Sequence, residues 1–205
     1  MGRPSVFTRD RLLDGALGLV AEHGPAAATV GALAERLQAP VGSIYHRYAS
    51  RDLLLADLWL ETVEVFQPEF LGRLRGADPI EAGRDAVRFA WTWVGVHPRE
   101  ARVLLLHRRD DFVKGPWPAP YRTRARRLDA DAATGLASYT RRLYGRTSAP
   151  LLRRVRLAVV DVPQGACRPY VESGAPPPPD LRTLVEETCA HVLRTGPQRG
   201  RRTSG

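Results

Sequence analysis

The sequence predicts an all-α fold, a small three-helix module followed by a larger helical bundle, on three observations. Apolar residues recur at three- and four-residue spacing along the chain. Pro/Gly punctuation separates the helix-like segments. No strand-like alternation bounded by turns stands out. The chain has 205 residues, enough to bury a full core as one large domain or as a small one fused to a medium one. Hydrophobic content of 43% and a mean hydropathy of −0.28 describe a soluble globular protein. No run of about 18 apolar residues occurs, so no membrane span is expected. The N-terminal M-G-R-P-S-V-F-T-R-D lacks the apolar core of a signal peptide. Two cysteines, Cys167 and Cys189, make neither a disulfide framework nor a CxxC site, and a cytoplasmic location with reduced thiols is expected.

Taken in order, residues 1–7 read as an arm, with Gly2-Arg3-Pro4 either a minor-groove arm or a disordered terminus. Thr8 caps a first helix, and Phe7 with Leu12 has the spacing of a hydrophobic staple. Leu12, Leu13, Ala16, Leu17 and Val20 form its inner face, and Gly24-Pro25 stops it. Thr29 caps a second helix whose stripe is Val30, Leu33, Ala34 and Leu37. A third begins near Pro40 and carries Ile44 inward, while Ser43, Tyr45, His46, Arg47 and Tyr48 supply polar tips. From Arg36 to Arg51 there are three arginines and no acid. A short helix set crosswise on another, with polar tips and no negative charge, suits the major groove of DNA. Residues 29–48 therefore read as a helix-turn-helix. Ser50 caps a fourth helix with Leu54, Leu55, Leu58, Trp59, Val63 and Phe66 on its apolar face, and Pro68 is expected to end or kink it. Further helices are expected at Pro79–Val96, Pro98–Arg109, Ala119–Tyr144, Pro150–Glu172 and Asp180–Arg194, followed by a polar, disordered tail over 196–205. The expected domains are thus 1–51 and 52–195.

The run L-A-E-R-L-Q-A-P-V-G-S-I-Y-H-R-Y-A-S-R-D-L-L resembles, without a gap, the DNA-binding signature of the TetR-type bacterial transcription regulators. Leu33-Ala34 fits that family's Ile-Ala pair, and Gly42-Ser43-Ile44-Tyr45 its Gly-Thr-Leu-Tyr. Tyr48 stands for its usual Phe and Arg51 for its usual Lys. Gln38 stands where the family's turn usually has Gly, and Pro40 where it often has Ser. Gln38 must then reach the turn conformation at some cost, if that conformation needs a positive φ.

The resemblance implies a dimeric regulator, by family default a repressor released from a palindromic operator by a small-molecule effector. It also implies roles for residues. Thr29, Tyr45 and Arg51 match positions that touch phosphate, so they position rather than specify. Val41, Gly42, Ser43 and His46 face base edges, while Arg47 reaches either a base or a phosphate. Arg51 sits at a helix N-terminus, where a cation opposes the macrodipole; a phosphate shared with the backbone N–H groups would favour it. A ligand cavity inside the bundle is implied too. Among its clustered aromatics, Phe89, Trp93, His107 and Tyr139 are the candidate lining residues, with plain core packing as the alternative. The segment around Leu151–Cys167 and the last helix (Leu181, Leu184, Val185, Thr188, Val192) read as a pairing surface, as the family's last two helices are. Two recognition helices about 34 Å apart would then read successive major grooves.

The net charge of +9 supports a polyanion partner in general. It does not mark the reading head, because residues 1–52 hold six arginines against five acids. Enzyme readings find little: His23, His46, His97, His107 and His191 show no metal spacing, and there is no phosphate-cradling glycine loop, so neither a cofactor nor a metal is expected. Two other functions stay open. One is a non-specific basic nucleic-acid binder, and the other a helical small-molecule-binding protein whose N-terminal module is only structural.

Overall fold

Helix boundaries fall where side chains or glycines can complete the backbone bonds that a helix end leaves open. The computed structural model describes residues 7–113 and 115–196; the predicted arm up to residue 6 and the tail from 197 lie outside them. Among the described residues there is no strand. The helices are α1 (Arg9–His23), α2 (Val30–Leu37), α3 (Val41–Tyr45), α4 (Arg51–Arg73), α5 (Pro79–Val96), α6 (Pro98–Leu106), α7 (Ala119–Tyr144), α8 (Ala149–Arg156), α9 (Val162–Ser173) and α10 (Pro179–Arg194). Among the described residues they form two compact units, one over 7–64 and 98–126 and one over 65–97 and 127–196.

In the first unit the predicted caps are in place. Thr8 Oγ1 accepts the Arg11 N–H at 3.3 Å and Thr29 Oγ1 the Ala32 N–H at 3.0 Å. Ser50 Oγ accepts the Leu53 N–H at 3.2 Å. Leu12, Leu13, Ala16, Leu17 and Val20 are all buried. Gly15 lets α2 close on α1: a Cβ there would fall 2.9 Å from Leu33 Cδ1. Gln38 ends α2 in the left-handed conformation, at φ 50° and ψ 41°. Its N–H donates to Glu35 O at 3.1 Å, and that of Ala39 to Ala34 O at 2.9 Å. This is the paired closure that a left-handed residue after a helix allows. The helix α6 is fastened to α1 by Arg99, which donates to Asp14 at 2.7 Å, and by Arg102, which donates to Ala21 O at 2.6 Å.

The buried carboxylate of Asp57 on α4 collects donors from three directions. Arg9 Nε lies 2.9 Å and the Tyr48 hydroxyl 2.7 Å from its Oδ2, and Arg124 Nη1 lies 2.6 Å from its Oδ1. Arg9 also pairs with Glu61 at 2.5 Å and Arg124 with Glu64 at 2.7 Å. Burial alone would push the Asp57 carboxyl up, but the bonds from Arg9, Arg124 and Tyr48 outweigh it and hold the carboxyl below its ordinary value of 3.8.

The second unit centres on α5 and α10. A Cβ on Gly83 would run into the Tyr139 hydroxyl and Leu193, so these elements meet where only glycine fits. The Tyr139 hydroxyl donates to Pro79 O at 2.7 Å and that of Tyr144 to Leu193 O at 2.8 Å. Glu186, 6% exposed, lies on Arg88 at 2.8 Å, with Arg84 and Arg182 beside it. Gly196, expected to open the tail, is instead buried against Tyr144. Burial pushes the free thiols of Cys167 and Cys189 up to about 11 and about 12, which leaves them unreactive.

Three helix boundaries differ from expectation. Pro68 does not end α4, which runs on to Arg73. Burial of Phe70, Leu71 and Leu74 at about 1.5–3 kcal/mol each outweighs the roughly 3 kcal/mol cost of an interior proline. The helix from Pro98 stops at Leu106 rather than Arg109, because the Asp111 carboxylate takes the Arg108 N–H at 2.6 Å and starts a 3-10 turn over Arg109–Asp111. The helix predicted over 150–172 widens to π geometry across Leu157–Asp161. Pro163 follows that stretch, and a wider turn makes room for a ring that would otherwise strike the carbonyl four residues back.

Two outcomes follow for stability. Gln38→Gly raises it by about 0.5–1 kcal/mol, strain relief exceeding the added chain entropy, whereas the β-branched Gln38→Val lowers the thermal midpoint. The Asp57 carboxyl sits lower in the folded than in the unfolded chain, so its contribution is complete above the ordinary value of 3.8 and is lost as pH falls through the folded value. Thermal midpoints measured from pH 5 to pH 3 therefore fall less steeply in Asp57→Asn than in the parent.

Candidate nucleic-acid interface

The third helix is amphipathic over a single turn and a half, and that pattern sorts its side chains. Ile44 is 1% exposed and Tyr48 is 5% exposed, so these two anchor the segment. The opposite side carries Val41 at 46% and Tyr45 at 51% exposure, with Gly42, His46 and Arg47 also exposed and Ser43 half-buried. Apolar Val41 and the Tyr45 ring are exposed at a cost that a partner surface would remove.

Gly42, on the same exposed side, shares an open setting with Gly72, Gly95 and Gly165. Its φ is not positive, and a Cβ there would meet nothing within 4 Å. Neither backbone conformation nor internal packing calls for glycine, which costs about 1 kcal/mol relative to alanine in a helix. Close approach by something outside the chain would account for it.

The arginines of this region separate cleanly. Arg36 is held by Glu22 through two bonds, at 2.8 and 2.5 Å. Arg51 folds back on the chain: Nε donates to Ala28 O at 2.9 Å, Nη2 to Pro25 O, and Nη1 lies 3.4 Å from Asp52. The cation at the start of α4 is thus matched by carbonyls of the segment before Thr29, the partner that the sequence assigned to phosphate. Spacing could not reveal this, because Pro25 and Ala28 are 26 and 23 residues away. Arg47 is exposed, and the structure shows no partner for its guanidinium among the described residues. It is the arginine of the three that faces solvent uncommitted. Thr29 Oγ1 is exposed and spends one lone pair on its own helix.

The effector candidates divide between the two units, with Phe89, Trp93 and Tyr139 in the second and His107 in the first. Phe89 and Trp93 stack about Phe66, with ring centroids 5.7 and 4.9 Å away, and His97 lies 5.1 Å beyond Trp93. His107 belongs to the other unit, its ring 6.2 Å from that of Phe112. Tyr139 is buried and borders a groove of about 820 Å³ in the second unit. Leu71, Leu128, Thr134, Ser138 and Arg142 share that lining. Sequence reasoning missed these residues because apolar positions on α4 and polar ones on α7 carry no aromatic mark. Among the described residues no group of three or more His, Cys, Asp or Glu could hold a metal, and no helix is long and apolar enough to cross a membrane.

Comparison with known proteins supplies the context. Residues 12–58 match the family model described as bacterial regulatory proteins, tetR family. No curated protein matches the sequence. Solved structures do match in fold. A transcriptional regulator from Rhodococcus sp. RHA1 superposes with a TM-score of 0.69 at 22% identity, covering 92% of this chain and 97% of that one. A TetR family transcription regulator from Marinobacter aquaeolei VT8 gives 0.68 at 16% identity, covering 90% and 94%. The regulator FadR from Bacillus subtilis, solved with stearoyl-CoA, gives 0.67 at 15% identity, covering 93% and 100%. Residues 12–58 are thus similar to the tetR family of bacterial regulatory proteins, and nearly the whole chain shares the fold of such transcription regulators.

Proposed function

We propose that the protein is a cytoplasmic, homodimeric, ligand-responsive repressor, with no catalytic activity, that reads a palindromic operator through α3. The carrying observation is Gly42, exposed on α3 with no internal reason to be glycine and flanked by the exposed Val41, Tyr45, His46 and Arg47. Residues 1–51 act as the reading head and 52–195 as the effector and dimerisation part. Val41, Gly42, Ser43 and His46 meet base edges, and Thr29, Tyr45 and Arg47 meet phosphates. Arg51 holds the Pro25 and Ala28 carbonyls, and so positions Thr29 rather than meeting DNA itself. Dimerisation draws support from Leu157 and Leu184, 47% and 55% exposed, and from Gly165, around which a Cβ would find open space. The groove beside Tyr139 is the proposed effector site.

Selection of binding sites from random duplexes tests the whole reading. A short palindrome enriched above bulk DNA is expected; uniform coating of all duplexes would favour the non-specific basic binder instead. Gly42→Ala holds or raises the thermal midpoint yet weakens operator binding, whereas a variant that binds as well as the parent removes the close-approach argument. Arg47→Ala lowers the salt slope of binding by about one unit and Arg51→Ala leaves it near the parent value. Light scattering at micromolar concentration should return twice the chain mass, and a monomer there would overturn the dimer.

A further inference from the structure

We infer that Asp57, Arg9 and Arg124 are positioning residues for DNA reading, acting through the Tyr48 hydroxyl to hold α3 in its DNA-competent pose. This rests on the reading of α3 as the recognition helix. Three features converge on it.

First, α3 is only five residues long, so its own hydrogen bonds hold it weakly and its pose must come from anchors. Ile44 is one anchor and is purely apolar, which fixes depth but leaves rotation about the contact loosely defined. Tyr48 is the other, and its hydroxyl reaches Asp57 Oδ2 at 2.7 Å. A directional bond to an ionised acceptor resists the rotation that packing alone tolerates.

Second, Tyr48 stands where the signature usually has Phe. An apolar ring would fill the same space, so the hydroxyl adds an interaction rather than bulk. It needs a buried acceptor, and Asp57 is a carboxylate in an otherwise apolar stretch, between Ala56 and Leu58 and near Leu54, Leu55 and Leu60.

Third, a buried carboxylate is stable only if it is paired. Arg9, at the first residue of α1, and Arg124, on α7, supply that pairing at 2.9 and 2.6 Å. The two guanidiniums approach different oxygens, while Tyr48 shares Oδ2 with Arg9. The carboxylate is thereby held in one orientation, and Tyr48 inherits it. Ends of α1 and α7, together with α4, set where the hydroxyl must point. Glu61 and Glu64 engage the same arginines from the side, Asp10 lies 3.7 Å from Arg9, and the Arg124 guanidinium sits over the Tyr121 ring at 5.9 Å.

The test uses the full chain with Tyr48→Phe, Asp57→Asn and Arg124→Met, each read by two measurements. Hydrogen exchange in free protein, compared at a temperature where all variants are folded, should show amides of residues 41–48 exchanging about tenfold faster in Tyr48→Phe, with α1 unchanged. Binding to a selected operator should weaken by about tenfold while binding to random duplex stays at the parent level, so that the specificity ratio falls. The double variant Tyr48→Phe/Arg124→Met should lose less than the sum of the single losses, since both act through one carboxylate. Unchanged exchange at 41–48 in Tyr48→Phe overturns the inference. So does a parent-like specificity ratio in folded Tyr48→Phe and Asp57→Asn, which would leave the cluster a matter of stability alone. If the parent protein selects no DNA, the recognition-helix reading fails, and with it the role in DNA reading, while the exchange data still decide whether the cluster fixes α3.

Discussion

The Asp57 carboxylate is the constraint around which the N-terminal unit is arranged. A charge with a side chain only 6% exposed must be matched in full, because desolvating it without partners costs several kcal/mol. Three donors from α1, the end of the α3 segment and α7 provide the match. Ordinary apolar packing in the same unit, with Leu12, Leu33, Ile44 and Leu55 all at 1% exposure or below, supplies most of the burial. Packing by itself tolerates small rotations; directional bonds to one carboxylate do not. The unit is therefore apolar in bulk and polar at the point where orientation matters.

The same division runs through the reading surface. Glu22, Pro25, Ala28 and Asp57 hold the guanidiniums of Arg36, Arg51 and Arg9 in hydrogen bonds, so of Arg36, Arg47 and Arg51 it is Arg47 that faces outward from the α3 segment. Most of the region's positive charge is structural. In the proposed reading, recognition would fall to shape, backbone approach at Gly42 and short polar tips rather than to a broad basic face. A net charge of +9 for the whole chain obscures this, since it says nothing about which guanidiniums are already bound.

In the second unit several polar interactions lie at helix crossings. Glu186 draws in Arg84, Arg88 and Arg182, and tyrosine hydroxyls take up the Pro79 and Leu193 carbonyls. Gly83 allows the close crossing that brings Tyr139 there. Tyr139 is thus fixed by its own hydrogen bond, and the groove beside it takes its variety from Thr134, Ser138 and Arg142 on the same helix.

The local chemistry of the chain determined its caps, its helical content and its reading segment. Thr8, Thr29 and Ser50 act on N–H groups three residues away, and Gln38 departs from glycine at a site whose positive φ the structure confirms. Such interactions span a few residues, so spacing alone discloses them. Tertiary structure decided what spacing cannot carry. It decided that Arg51 meets carbonyls, that α4 passes through Pro68, that Pro163 follows a π-helical stretch, and that His107 belongs to the first unit while Phe89, Trp93 and Tyr139 belong to the second. It also decided that Tyr48 finds a carboxylate whose other partners lie 48 and 67 residues from it. The energies of these contacts depend on which groups are removed from water together, and only the folded chain settles that.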